Sequence, residues 1–207
     1  NDAFQEADTT GITRPCTKHN YLVKDINDLH SIIHEAFYVA KSGRPGPVVI
    51  DLPKDIQLKN INYDNKIPSI HTSYNPRREG DIESINLAAK LLSEAEKPVF
   101  YSGGGVINSG PTASKLLVDI VKYSGFPITS TLMGLGAFPS SDSQFLGMLG
   151  MHGTYEANMA MHQADLIIAV GSRFDDRITG RLDAFSPNSK KIHIDIDPSS
   201  INKNVSV

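Results

Sequence analysis

Beyond residue 80 the sequence alternates between short apolar runs and segments of helical period, and this alternation restricts the fold more than any other feature. The runs "PVFYSG", "PITST", "LIIAV" and "KIHIDI" read as short buried strands. Between them lie helical patterns at about 81–95 (Ile82, Ile85, Ala89, Leu92) and 111–124 (Ala113, Leu116, Leu117, Ile120, Val121), with a weaker one at about 154–163 after a long loop. Strands that alternate with helices predict an α/β fold built on a doubly wound parallel sheet.

Upstream, "NDLHSIIHEAFYVAKSG" places Leu29, Ile32, Ile33, Ala36, Phe37 and Ala40 on one helical face, with Asp25 or Asn27 as cap and Gly43 as terminator. "RPGPVVIDLPKDI" then supplies another buried strand between prolines. Residues 59–80 lose periodicity and collect Asn, Pro, Ser and charge, the composition of a linker. The expected organisation is the tail of one α/β domain over 1–58, a linker over 59–80 and a second domain over 81–207. The chain starts at Asn1 and stops just after "SSINKNV", which reads as a helix start, so it is expected to be a piece of a longer polypeptide.

Composition removes several function classes. The net charge is -3 and no basic run exceeds two residues, so counterion release, the main source of nucleic-acid affinity, has nothing to draw on. The longest apolar stretches are far shorter than a membrane span. With Cys16 as the sole cysteine there is no internal disulfide and no cysteine-based zinc site, which fits a reducing compartment and a cytoplasmic location.

Chemistry-bearing residues gather at strand ends. In a parallel sheet these ends share one carboxyl edge, where open α/β folds put their ligands. "YSGGGV" offers Gly103, Gly104 and Gly105 for close backbone approach to a ligand, although a glycine turn before a helix explains them equally well. "STLMGLGAFP" brings Thr131, Leu132 and Met133 to the same rim. "DLIIAVGSRFDDRITGR" runs from a buried strand into Arg173, Arg177 and Arg181 with Asp175 and Asp176 between them, which is either a solvated ion-pair loop or an anion site. In "HIDIDP", Asp195 and Asp197 stand where an acid holds a ribose in dinucleotide-binding sheets; a strand-end turn and an Asp-x-Asp metal pair compete, and no metal site is expected. His30 and His34 fall on a helix flank as surface residues, whereas His152 in "LGMLGMHGTYEAN" is either functional or a capping or core histidine.

Five long motifs, "SGRPGPVVIDLPKDIQ", "STLMGLGAFP", "LGMLGMHGTYEAN", "VGSRFDDRITGRL" and "KIHIDID", resemble the large catalytic subunit of acetolactate synthase in order along almost the whole chain. "NDAFQE" and "TRPCTKHNYLV" resemble the end of that family's pyrimidine-binding domain, with Pro15-Cys16 in place of a more usual pair. The resemblance implies a thiamine diphosphate enzyme that decarboxylates pyruvate and joins the hydroxyethyl unit to a second 2-ketoacid, such as pyruvate or 2-ketobutyrate, in branched-chain amino acid biosynthesis. It further implies FAD bound by Arg44, Gly103 to Gly105, Thr131 to Met133, the stretch Leu146, Gly147, Met148, Leu149, Gly150, Met151 and His152, then Gly171, Ser172, Arg173, Asp175, Asp195, Ile196 and Asp197. By the same resemblance Gln5, Lys54, His152 and Arg177 border the chemistry, and Phe4 and Met151 line the substrate channel. Arg177 would clamp the acceptor carboxylate. The main ligands of thiamine diphosphate and Mg2+ lie outside this segment, which contains no Gly-Asp-Gly, so the segment alone is expected to be inactive. A homodimer or tetramer with a small regulatory subunit is also implied. Competing readings are an FAD-containing glyoxylate carboligase or pyruvate oxidase relative, and a noncatalytic nucleotide-binding module.

Overall fold

A computed structural model describes residues 6–63, 65–69 and 73–207. The chain divides into two compact units, Asn1–Arg77 and Arg78–Val207.

The first unit opens with a short helix α1 (Thr9–Thr13), which Asp8 caps by accepting from the Gly11 amide at 2.9 Å. Strand β1 (His19–Leu22) pairs in parallel with β2 (Val48–Asp51), and helix α2 (Leu29–Lys41) makes the crossover between them. The end of α2 leaves carbonyls unpaired within the helix, and Lys18 answers them. Its ammonium donates to the Val39 carbonyl at 2.6 Å and to the Arg44 carbonyl at 2.9 Å, and lies 4.5 Å from the centre of the Tyr74 ring. The short helix α3 (Lys54–Gln57) follows β2 and buries Ile56.

Two details of α2 differ from the sequence reading. Asp25 caps the single 3-10 turn Ile26–Asp28 that precedes the helix, and the N-cap position of α2 falls to Asp28. The buried stripe runs through Ala36 and Val39, while Ile33 is 37% and Phe37 62% exposed. A helix over a two-stranded sheet covers a narrow strip, so the wider apolar arc of the sequence is only partly used.

In the second unit, helix α4 (Ile82–Glu94) begins at Asp81, whose carboxylate accepts from the Ser84 amide. Strand β3 (Pro98–Ser102) follows, then α5 (Gly104–Asn108), α6 (Pro111–Ser124) and β4 (Ile128–Ser130). Strand β5 (Phe145–Met148), helix α7 (Tyr155–Gln163), strand β6 (Leu166–Val170), the single-turn α8 (Asp176–Thr179) and strand β7 (Lys190–Ile194) complete it. All five strands are parallel in the order β5-β4-β3-β6-β7. The expected α/β doubly wound sheet is therefore present.

Strand β3 is central and buried on both faces, so its successive residues feed two different cores. Phe100 joins Leu117, Val121, Ile128, Phe138, Leu166 and Ile168 on one side. Val99 and Tyr101 join Met161, Ile167, Ala169 and Phe174 on the other. Asp165 sets the register where β3 and β6 begin, its carboxylate accepting from the backbone amides of Glu96 at 2.7 Å and Lys97 at 2.9 Å.

The residues before α7 that read as a long loop contain β5. It was hidden because its register with β4 shifts between Ile128 and Ser130 and because Gly147 sits inside it. Helix α4 departs from its pattern in part, with Ile82 66% and Ile85 51% exposed; Leu92 of the expected face does pack on the core, joined by Leu91 and the C-cap Ala95. The terminal "SSINKNV" forms turns and no helix, with Asp197 accepting from the Ser199 amide and hydroxyl.

The glycines at the sheet's carboxyl edge are held to their identity by backbone packing. A Cβ on Gly103 would stand 2.1 Å from the Gly171 carbonyl oxygen and 2.5 Å from the Ser172 Cα. A Cβ on Gly105 would stand 2.7 Å from the Gly171 Cα. These neighbours are main chain and cannot rotate away. Gly125, by contrast, has φ +73 at the C-cap of α6 and open space around it. Gly125→Ala is expected to cost only the left-handed conformation, about 1–2 kcal/mol. Gly103→Ala must separate two strands and is expected to cost roughly 4 kcal/mol or more, the range of severe core damage. Urea unfolding of both variants against the parent chain measures the contrast; equal losses would show that the two loops are free to part.

Candidate functional site

The strand order reverses between β3 and β6: the chain builds β3, β4 and β5 outward in one direction, then returns to place β6 on the far side of β3. Loops leaving adjacent strands diverge at such a point and leave a crevice at their carboxyl ends. Here the two loops are stitched together at its base. The Gly103 amide donates to the Val170 carbonyl and the Gly105 amide to the Gly171 carbonyl, both at 2.9 Å, and the Ser172 hydroxyl donates to the Tyr101 carbonyl at 3.2 Å.

On the side where a Cβ would stand, Gly103 and Gly105 serve the approach of one backbone to another. Gly104 faces the β4 loop, where an added Cβ would meet the Met133 Cβ at 3.1 Å. That loop is drawn in by the Thr131 amide, which donates to the Ser102 carbonyl at 2.9 Å. The Thr131 side chain is spent on the Gly134 amide, shaping the turn Leu132–Gly134. Leu132 and Met133 are left standing in solvent, 67% and 75% exposed.

After β5, a tight structure carries the next group of candidates. Thr154 caps α7 and donates through its hydroxyl to the Leu146 carbonyl at 2.6 Å, packing over Gly147. Asn158 brackets Gly150, accepting from its amide at 3.2 Å and donating to its carbonyl at 3.1 Å. Leu149 points into the core, Met151 is 63% exposed, and His152 is exposed, so His152 is neither a core nor a capping histidine. The Met151 amide donates to the Arg177 carbonyl at 3.1 Å. This bond joins two candidate segments that lie far apart in sequence.

The charged loop after β6 has three arginines in three situations. The Arg173 guanidinium lies 3.8 Å from the Asp175 carboxylate, with both side chains about half exposed, a contact of little energetic worth. Arg181 pairs with Asp183 at 2.7 Å. Arg177 has no carboxylate within ion-pair distance among the described residues. Asp175 directs its side chain to the Arg177 amide at 3.2 Å as the N-cap of α8. Tyr101, fully buried beneath this loop, donates to the Arg173 carbonyl at 3.2 Å. Burial, with the Asp175 carboxylate adding to it, pushes its phenol well above the ordinary range and keeps it a neutral donor.

The end of β7 completes the edge. The Gly171 amide donates to the Ile194 carbonyl at 2.8 Å, and Asp195, its side chain only 10% exposed, accepts from the Asp197 amide at 2.8 Å. Asp197 is engaged in the turn that follows, as the plain strand-end reading has it, while Ile196 is 37% exposed. Among the described residues no group of three or more His, Cys, Asp or Glu side chains is placed to hold a metal.

The first unit holds the remaining candidates. Lys54 is the exposed first residue of α3, and the Arg44 backbone is fastened by Lys18. His30 and His34 are half-buried, their rings 4.9 Å apart, rather than free on the surface. Phe4 and Gln5 lie outside the described residues.

One edge of the second unit thus gathers a guanidinium at Arg173, a recessed carboxylate at Asp195 and exposed apolar side chains at Leu132, Met133, Met151 and Ile196. Such a set offers a ligand a cation, a hydrogen-bond acceptor and apolar contact.

The chain is 52% identical over 208 residues to the acetolactate synthase large subunit of Haemophilus influenzae, a match covering 100% of this chain and 36% of that protein. It is 51% identical to the acetolactate synthase isozyme 3 large subunit of Escherichia coli, over 99% of this chain and 36% of that one. Against the acetolactate synthase of Mycobacterium leprae the figures are 49%, 98% and 32%. The chain therefore spans about a third of the length of these relatives. The family described as thiamine pyrophosphate enzyme, central domain, matches residues 85–207, the whole of the five-stranded sheet, and the chain belongs to that family.

Proposed function

We propose that this chain is part of an acetolactate synthase catalytic subunit, and that its second unit binds FAD along the carboxyl edge of the sheet and presents Arg177 to the carboxylate of the acceptor 2-ketoacid. The observation that carries the reading is the state of Arg177. Its two sister arginines have aspartate partners, whereas its own guanidinium is exposed and has none among the described residues. Its main chain is nonetheless held, by Asp175 on the amide side and Met151 on the carbonyl side. A cation fixed at its root and unpaired at its tip is poised to accept a planar anion through two parallel hydrogen bonds.

The residues present also fit a flavin dinucleotide. Arg173 would face the pyrophosphate and Asp195 a ribose hydroxyl. Leu132, Met133 and Met151 would cover the ring system, sheltering apolar surface that otherwise stands in water. Thiamine diphosphate with Mg2+ would supply the carbanion-stabilising chemistry, held by ligands outside this segment. The role of this chain's residues is to orient and to exclude water. Met151, its amide tied to the Arg177 carbonyl, and the neighbouring His152 would form the wall against which the acceptor is placed. As the resemblance implies, Lys54, Gln5 and Phe4 would border the chemistry of the full-length enzyme, and Arg44 would be a further FAD contact. Pyruvate and 2-ketobutyrate are the proposed substrates, a homodimer or tetramer with a small regulatory subunit the assembly, and the cytoplasm the location. No helix among the described residues is long and apolar enough to cross a membrane.

Two measurements test the reading. The full-length protein is expected to carry one flavin per chain, released on denaturation and identified by its absorbance; stoichiometric nicotinamide dinucleotide with no flavin would overturn the cofactor. Arg177→Ala is expected to slow use of the second ketoacid by about one to two decades, the worth of a charge-assisted hydrogen bond of roughly 1.5–3 kcal/mol, while decarboxylation of the first is largely spared. Equal loss in both half-reactions would assign Arg177 a structural role.

A further inference from the structure

The second unit buries one imidazole that the proposed chemistry does not use. His193 lies in β7, opposite Ala169 of β6, and its side chain is 1% exposed. Its ring meets Phe174 edge-on at 5.4 Å, and Phe174 is flanked in turn by Tyr101 at 5.8 Å and Phe185 at 5.9 Å. An apolar ring would fill such an aromatic box without desolvating any nitrogen, so a histidine here needs a compensating bond.

That bond points at the candidate cofactor loop. His193 Nε2 is 2.8 Å from the Ser172 carbonyl oxygen. A carbonyl only accepts, so Nε2 carries the proton and donates. Nδ1 is buried without a hydrogen-bond partner among the described residues, so the Ser172 bond is the one that compensates burial of the ring. Ser172 is 3% exposed, outside any helix or strand, and no backbone amide among the described residues bonds its carbonyl. The same Nε2 stands 3.7 Å from the second carboxylate oxygen of Asp195, whose other oxygen is engaged by the Asp197 amide. One buried side chain thus touches both strand ends that would face the dinucleotide.

We propose that His193 is a positioning residue, whose Nε2 donor pins the Gly171–Asp175 loop and sets the Asp195 carboxylate beside it, so that Arg173 and Asp195 meet the flavin dinucleotide already in place. The inference rests on the flavin reading for its consequence, but the pinning of the loop is a property of the protein without ligand. A loop held in its bound conformation is not ordered at the expense of binding.

The test compares three variants in the full-length protein. His193→Phe keeps the ring and deletes the donor. His193→Gln restores a donor at the reach of Nε2, and His193→Asn places one only at the reach of Nδ1. Flavin dissociation constants are measured by fluorescence titration of the stripped protein, and amide hydrogen exchange over residues 171–175 is followed in the flavin-free state. His193→Phe and His193→Asn are expected to weaken flavin binding at least tenfold and to speed exchange in the loop, with His193→Gln staying within about threefold of the parent. Unchanged exchange and affinity in His193→Phe would overturn the proposal. Should His193→Phe fail to fold, equal behaviour of the Asn and Gln variants would overturn it. A parent protein that binds no flavin would instead overturn the cofactor reading, and the exchange comparison would still decide the pinning.

Discussion

The second unit depends on a contact between two pieces of main chain. Where β3 and β6 end, the Gly103 to Gly105 turn and Gly171 approach so closely that the missing side chains are what lets the sheet close at its switch point. Hydrogen bonds between the two loops can form at 2.9 Å only because no Cβ stands between them. Everything at the carboxyl edge inherits its position from that closure. The β4 loop hangs on the Ser102 carbonyl, and the loop carrying Arg173 starts at Gly171, which is bonded to Ile194 at the end of β7.

On this base the edge is built by relays of backbone bonds rather than by charge. The charged side chains at the surface pair weakly or with near neighbours in sequence, as Arg173 does with Asp175 and Arg181 with Asp183. The long-range links are the neutral ones, Met151 to Arg177, Tyr101 to Arg173 and His193 to Ser172. The division has a physical basis. Buried neutral hydrogen bonds are shielded from water and fix direction, whereas exposed ion pairs are screened and leave their charges available to a ligand. The edge keeps its cations outside and its scaffold inside.

The sequence pattern located the strands of the second unit well wherever a strand was apolar along its whole length, as in Leu166–Val170. It missed β5, where a glycine and a shifted register interrupt the run, and it missed β1, whose His19, Asn20 and Tyr21 carry too much polarity to signal a buried strand. The helical faces were over-read. Ile82, Ile85, Phe37 and Leu116 have the right spacing and remain exposed, because periodicity reports an amphipathic surface without saying how much of it has a neighbour.

What the sequence by itself determined is the inventory and the order: alternating strands and helices, glycines at the strand ends, an arginine-rich loop, paired acids, and motifs long enough to point to a family. Those are local properties, decided by the chemistry of a few consecutive residues. What only the tertiary structure decided is which of them share work. That Gly103 exists for Gly171, that Arg177 alone of its three arginines lacks an aspartate partner among the described residues, and that His193 serves a carbonyl twenty-one positions away are all facts about separation in space. For the first and last of these, parallel pairing sets the separation by bringing distant strands into register, and no short window of sequence contains both partners at once.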